Sequence, residues 1–316
     1  MANQQKQCPA FRTSIGGQAL IEGIMMRGPR KQAIAVRTAE GITVKEDELK
    51  FIKDRYPILG WPFIRGTVNF LGSMVNGVKA LTYSAEQQPE EEQEEPGKLD
   101  KWIMEHFSSE TADKLIIGIA VVLGIALAVG LFIILPTVLV GFLDGVLQSR
   151  VLRNLLEGVV RIAIFLGYMF LATKLKEIKR VWMYHGAEHK TIFCYEHGLE
   201  LTVENCRKQS RFHPRCGTSF IFIVMIVSIL VYSVFSWSNM LVRMLIRILL
   251  LPVVVGISYE IIKWAGRSDN WATRIASAPG KALQHLTTAE PDDSMLEVAI
   301  AAMKRVIPET AGEDAW

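Results

Sequence analysis

The sequence predicts a mainly α, polytopic membrane protein: about four transmembrane helices joined to a small α+β N-terminal part and to a long loop rich in histidine and cysteine. Three observations carry that prediction. Half of the 316 residues are hydrophobic and the mean hydropathy is +0.24, high for a soluble chain yet low for one built wholly of spans. Four long apolar stretches follow one another after residue 111. Between the middle two, from Tyr184 to Cys216, the chain gathers four of its six histidines and three of its four cysteines.

Residues 1–85 are expected to form a cytoplasmic α+β segment. Ala33–Arg37 and Ile42–Val44 flank Thr38-Ala39-Glu40-Gly41, which reads as a hairpin. Upstream, Gly16–Pro29 carries several glycines and the pair Met25-Met26, but no GxGxxG and no GKS or GKT. Turn chemistry around a packed apolar strand accounts for it better than a phosphate cradle does. After Pro62, Arg65–Ala85 is rich in Gly, Val, Leu and Met and weakly amphipathic, and it fits a core helix or a helix lying on the membrane equally well. Residues 86–110 read as an acidic linker, since Glu86–Glu95 holds six glutamates and ends at Pro96-Gly97.

The four-span membrane domain is expected at 111–264, with a cytoplasmic loop at 174–216. Leu115–Leu143 runs 29 residues without a charge, longer than the ~20 that cross the hydrocarbon, so it must tilt or break, and Pro136 is the predicted place. The second span, Leu155 to about Thr173, carries Glu157 and Arg161 four residues apart, where each is expected to neutralise the other. Gly217 to about Trp237 is the third. The fourth, about Leu241–Trp264, is the weakest, with Arg243 and Arg247 near its start and Glu260 near its end. Residues 265–316 read as a cytoplasmic C-terminal tail.

Basic residues choose the orientation. Thr173–Arg215 contains nine Lys or Arg and the chain from Lys263 onward contains six, against Arg150, Arg153, Arg243 and Arg247 at the opposite ends. The positive-inside bias therefore puts the loop and both termini in the cytoplasm of a bacterial inner-membrane protein. The first residues are polar, without the apolar core of a signal peptide, so the cysteines are expected as thiols.

Within the loop, His185-Gly186-Ala187-Glu188-His189 places two imidazoles on one helical face, where they can share an ion. The order His-x-x-Glu-His is that of the inverted zinc-protease motif, in which the glutamate serves as general base. His213, Cys216 or Glu260 is expected to complete the shell of a divalent metal, with the thiol pointing to zinc. For Glu260, ion pairing with Lys263 competes with ligation. No CxxC pair is present, which argues against ribbon or treble-clef zinc modules.

Four blocks in order, Gly17–Pro29, Tyr184–Lys190, Leu201–Asn205 and His213–Phe220, resemble the YqhQ-type bacterial membrane protein family, domain of unknown function 1385. The resemblance covers the chain up to its tail and implies a predicted metal-dependent enzyme. Cys194, His197 and Cys206 lie outside those blocks and rank below the other ligands.

Two readings of function follow. One is a zinc-dependent hydrolase of amides or esters, with Glu188 catalytic and His185, His189, His213, Cys216 and Glu260 as metal candidates. The other is a scaffold or accessory factor of a membrane machine such as the protein-export translocon, with the metal only a staple for the loop. Expected partners are the lipid bilayer and a membrane protein or second copy of the chain. A transporter fits poorly, because four spans with one buried acid make a poor translocation path unless the chain oligomerises. Nucleic acid is not expected, because net charge is only +3 and topology explains the basic loop.

Overall fold

The computed structural model describes residues 11–89, 97–143, 145–146, 149–234, 239–267, 270–310 and 312–315. Strands β1 (Gly16–Leu20), β2 (Gly23–Arg27), β3 (Lys31–Thr38) and β4 (Gly41–Glu48) form an antiparallel meander in chain order. The predicted hairpin is β3–β4, closed where Thr38 faces Gly41, and both strands run longer than the sequence pattern marked. Helices follow: α1 (Ile52–Arg55), α2 (Ile64–Glu86), α3 (Lys98–His106), α4 (Ser109–Val129), α5 (Leu135–Gly141), α6 (Arg150–Ala172), α7 (Lys176–Glu196), α8 (Val203–Arg207), α9 (Gly217–Val234), α10 (Met240–Arg267), α11 (Trp271–Thr287) and α12 (Asp293–Val306). Of the expected acidic linker, 90–96 lie outside the described residues, as does Trp237, the expected end of the third span.

The chain divides into two compact units. One consists of Met1–Pro89, Met169–Val224 and Pro252–Trp316, the other of Glu90–Tyr168 and Met225–Leu251.

In the first unit both faces of the sheet are covered. Ile24, Met26, Ala33 and Ala35 pack with Tyr184 and Ala187 of α7 and with Met295, Leu296, Ala299 and Met303 of α12. On the opposite face Leu20, Met25, Ile34 and Val36 meet Ala80 of α2. Successive strand residues point to opposite faces, so a strand covered on both sides loses its apolar–polar alternation. That is why Gly23–Arg27 shows no period of two. The tail expected at 265–316 is instead structural: α12 is capped by the Asp292 carboxylate, which accepts the Met295 N–H at 3.0 Å, and its apolar face fills the core.

Among the described residues, four helices are long and apolar enough to cross a membrane: Leu115–Gly141, Val151–Ala172, Gly217–Val234 and Leu241–Arg267. The first breaks where expected. A π-helical turn at Gly130–Ile134 separates α4 from α5, directly before Pro136. Proline has no N–H to offer Phe132, four residues back, and Arg161 Nε donates to that carbonyl instead at 2.7 Å. The fourth is a single helix despite Pro252 inside it.

The expected Glu157–Arg161 pair does not form. Arg161 is drawn to Phe132 O and, through Nη1, to Ser228 Oγ at 2.6 Å. Glu157 pairs with Arg247 and lies 3.8 Å from Arg243 Nε, both across from it on α10. Arg247 also donates to Thr137 Oγ1 and to Asn154 Oδ1. These three arginines and Glu157 are all buried. Removing one partner of a buried ion pair leaves an uncompensated charge, which costs ~3–5 kcal/mol. Glu157→Leu is accordingly expected to lower the thermal midpoint of the detergent-solubilised protein by several degrees; an unchanged midpoint would show that the carboxylate does not hold the two guanidiniums.

Candidate metal centre

Residues 176–196, expected within a loop, form the 21-residue helix α7. From Tyr184 through Ile192 every residue on it is buried, because β1, β2, α8 and α12 enclose it. Histidines four residues apart on such a helix share a face. The rings of His185 and His189 stand 4.4 Å apart, centroid to centroid. Cys216, one residue before α9, closes the group: one donor atom each from His185, His189 and Cys216 lies within 4.8 Å of the others, and all three residues are buried.

The backbone around the histidines fixes their tautomers. His185 Nδ1 lies 2.7 Å from Thr287 O and His189 Nδ1 lies 2.5 Å from Arg211 O. A carbonyl only accepts, so each Nδ1 is the donor and each Nε2 is the atom that faces Cys216. His185 Nε2 is 3.2 Å from Cys216 Sγ. His189 Nε2 is buried and makes no well-formed hydrogen bond among the described residues. Burial alone would lower His185, but the Cys216 sulfur, by charge and hydrogen bond, outweighs it and pushes His185 up to about 9. Burial would likewise raise the thiol, yet the two imidazoles hold Cys216 well below the ordinary thiol range. His185 Nε2 and Cys216 Sγ thus face each other in a buried group of three donors.

Glu188 borders this group. Its carboxylate accepts the Gly17 N–H, while Oε2 is buried and has no hydrogen-bond partner among the described residues. Burial pushes the carboxyl up, and the two histidines pull it part of the way back. A Cβ at Gly17 would stand 3.0 Å from the Glu188 Cδ and 2.6 Å from Met25 O, so only glycine lets β1 approach this closely. Beside them is a cavity of about 140 Å³ lined by residues that include Ser14, Gly17, Glu188, His189, Arg215 and Cys216.

The other predicted ligands stand outside this group of three donors. His213 is adjacent, its ring 5.6 Å from that of His189, but both its nitrogens are engaged. Nδ1 accepts the Arg215 N–H at 3.4 Å and Nε2 meets Glu196 Oε2 at 3.3 Å. Gln284 clamps its backbone, accepting from His213 N at 2.8 Å and donating to His213 O at 2.7 Å. Glu260 is far along α10 and takes Arg65, Nε to Oε1 at 2.7 Å, rather than Lys263. A guanidinium presented in a fork satisfies a carboxylate better than a lysine on its own helix can. Cys194 and Cys206 lie in the apolar core, and His197 Nδ1 bonds Phe193 O on its own helix.

Sequence reasoning missed Glu196 and Gly17 as parts of the centre. Glu196 is buried, pairs with Arg215 and accepts the Thr13 N–H at 2.9 Å. Its signal was available: it falls eleven residues after His185, about three helical turns and therefore on the same face. Gly17 lacked any local signal, because strand pairing, not sequence spacing, brings it to α7.

A multi-pass membrane protein with a buried His/His/Cys group and an adjoining glutamate is the class that this architecture defines. The profile of a family described as "Protein of unknown function (DUF1385)" matches residues 61–309, and the chain belongs to that family. The chain is similar to "Uncharacterized protein YqhQ" of Bacillus subtilis (strain 168), 33% identical over 310 residues that cover 96% of this chain and 94% of the relative. No solved structure matches.

Burial drives His213 down to about 4, below its ordinary 6.5, with Glu196 opposing. Between those values the unfolded chain binds a proton that the folded chain refuses, so this residue makes stability fall as pH drops through the window. Glu196 acts in the same sense: burial opposes it, but His213 and Arg215 lower it, so its contribution is present above the ordinary carboxylate value and is lost in acid. His213→Asn is expected to reduce the loss of thermal midpoint between pH 6.5 and 4; parallel curves for the variant and the parent would contradict this.

Proposed function

We propose that the chain is a metal-dependent hydrolase of the bacterial inner membrane, with His185, His189 and Cys216 as ligands of a zinc-type ion and Glu188 as the general base. The observation that carries this reading is the pair of imidazoles locked by backbone carbonyls at Nδ1 so that both Nε2 atoms converge with Cys216 Sγ. Histidine ligands ordinarily have their second nitrogen fixed in this way. Two nitrogens and one sulfur suit zinc, and three protein ligands are the count of catalytic rather than structural zinc sites.

When bound, such an ion would polarise a carbonyl and make water more acidic. The residues of the chain do the rest. His185 and His189 orient their lone pairs, and Cys216 brings the negative charge. Glu188, held through Gly17, keeps one carboxylate oxygen uncommitted to take a proton. The cavity lined by Ser14 and Gly17 leaves room for a small group beside Glu188, and the substrate class in this reading is an amide or ester. The positive-inside bias supports a cytoplasmic side for the centre and both termini.

One observation favours the second reading, in which the metal only staples α7 to the start of α9: all three donor residues are buried. The protein would then be an accessory factor of a membrane machine. Two variants separate the readings. About one equivalent of zinc is expected in the parent and in Glu188→Gln, and almost none in the His185→Ala/His189→Ala double variant. Hydrolysis of a panel of chromogenic esters and peptides is expected to fall by ~10²–10⁴-fold in Glu188→Gln, the size of a general-base contribution. Loss of zinc from Glu188→Gln would contradict the base assignment, and bound zinc with no hydrolysis of any substrate by the parent would favour the staple.

A further inference from the structure

The four spans leave α2 and the segment before it unexplained. Its first turns pack on α10: a Cβ at Gly66 would meet Gly256 Cα at 3.0 Å and Tyr259 Cβ at 2.6 Å, and Gly256 in turn lies against the Phe63 carbonyl. Thr67 Oγ1 donates to Pro252 O at 2.8 Å, and Asn69 Nδ2 donates to Tyr259 Oη at 2.9 Å. Glycine against glycine is how helices approach closely in lipid.

The depth of those contacts follows from α10 itself. Leu241–Arg267 is 27 residues long, and ~20 residues cross the hydrocarbon. Wherever such a window is placed within the span, it contains Pro252, Gly256 and Tyr259. The side chains beside Phe63, Gly66 and Thr67 therefore stand at hydrocarbon level or just at its edge.

The pattern on α2 agrees. Its buried residues are small: Gly66, Gly77, Ala80 and Ser84. Its outward face carries Ile64, Leu71 and Val75, spaced i, i+7, i+11, up to Lys79. A helix with small residues inward and large aliphatic ones outward is inverted relative to a soluble core helix. Before it, Trp61 is 59% exposed and Phe63 58%, with Leu71 at 56% and Val75 at 55%. Phe63 has φ +67°, a left-handed backbone that turns the chain into α2 and is costly for an aromatic residue. The charge in this stretch is neutralised: Arg65 is forked onto Glu260.

We propose that Trp61–Val75 is a fifth membrane element, a non-spanning anchor that dips into the cytoplasmic leaflet beside α10, its outward side chains covered by lipid. Lys53 and Arg55 on α1 stand ready for headgroups. The further end of α2 reaches the sheet, where Gly77 bears on Gln18, next to the glycine that holds Glu188. The anchor thus ties the depth of the bilayer to the strand that lines the candidate centre.

The test uses the full chain in vesicles of phosphatidylethanolamine and phosphatidylglycerol. Nitroxide labels are placed singly by Trp61→Cys, Leu71→Cys and Val75→Cys, with Glu40→Cys in the exposed β3–β4 turn as the aqueous reference. A Cys8→Ser background leaves three buried cysteines. The ratio of oxygen to nickel-chelate accessibility is expected to be several-fold higher at 61, 71 and 75 than at 40. Ratios equal to that of residue 40 would place the segment in water and overturn the proposal. Low access to both reagents with an immobilised spectrum would show a protein cover, such as a second copy, and would overturn it equally.

Discussion

A helix whose polar side chains are buried cannot leave them unsatisfied, and the first unit is organised around that constraint on α7. His185, Glu188, His189, Lys190 and Glu196 are all buried on it. Each unpaired polar group in such a place would cost ~1–3 kcal/mol, more if charged. The surrounding elements supply the partners: the Gly17 amide from β1, carbonyls of Arg211 and Thr287, and Arg215 and His213 for Glu196. Among the described residues, His189 Nε2 and one oxygen of Glu188 stay buried without partners beside Cys216, as Trp182 Nε1 and Thr191 Oγ1 do elsewhere on α7. Buried polar atoms left without partners call for an explanation, and the ion proposed above supplies one for this group.

The membrane helices obey the same accounting with other means. Pro136 releases a carbonyl that Arg161 takes, and Glu157 draws the two arginines of α10. A charge inside a span survives because a helix break or an opposing charge on another helix requires it. The i, i+4 rule therefore failed for Glu157 and Arg161. It describes an isolated helix, and both residues had stronger partners on neighbouring helices.

Much of this was legible in the sequence. Length and hydropathy gave four spans, the proline gave the break, and two short strand-like runs flanking Thr38–Gly41 gave the β3–β4 hairpin. The i, i+4 histidines with the intervening glutamate gave the nucleus of the site, and Cys216 joined it from across the loop. Long-range geometry was not legible. Glu260 has the right chemistry for a ligand, but Arg65, almost 200 positions earlier, claims it. His213 has the right chemistry too, yet Glu196 and Arg215 use both its nitrogens. Residues 265–316 read only as a tail because a 14-residue amphipathic helix such as α12 carries no sign of which sheet it will cover. A strand covered on both faces, like β2, has no period to read.

Zinc-edge X-ray absorption of the purified, zinc-loaded protein tests the central claim most directly, because it counts ligand types without needing a substrate. The account predicts one sulfur at about 2.3 Å and two imidazole nitrogens at about 2.0–2.1 Å, with a light-atom ligand completing a tetrahedral shell. Two or more sulfurs, or a shell without imidazole scattering, would contradict it.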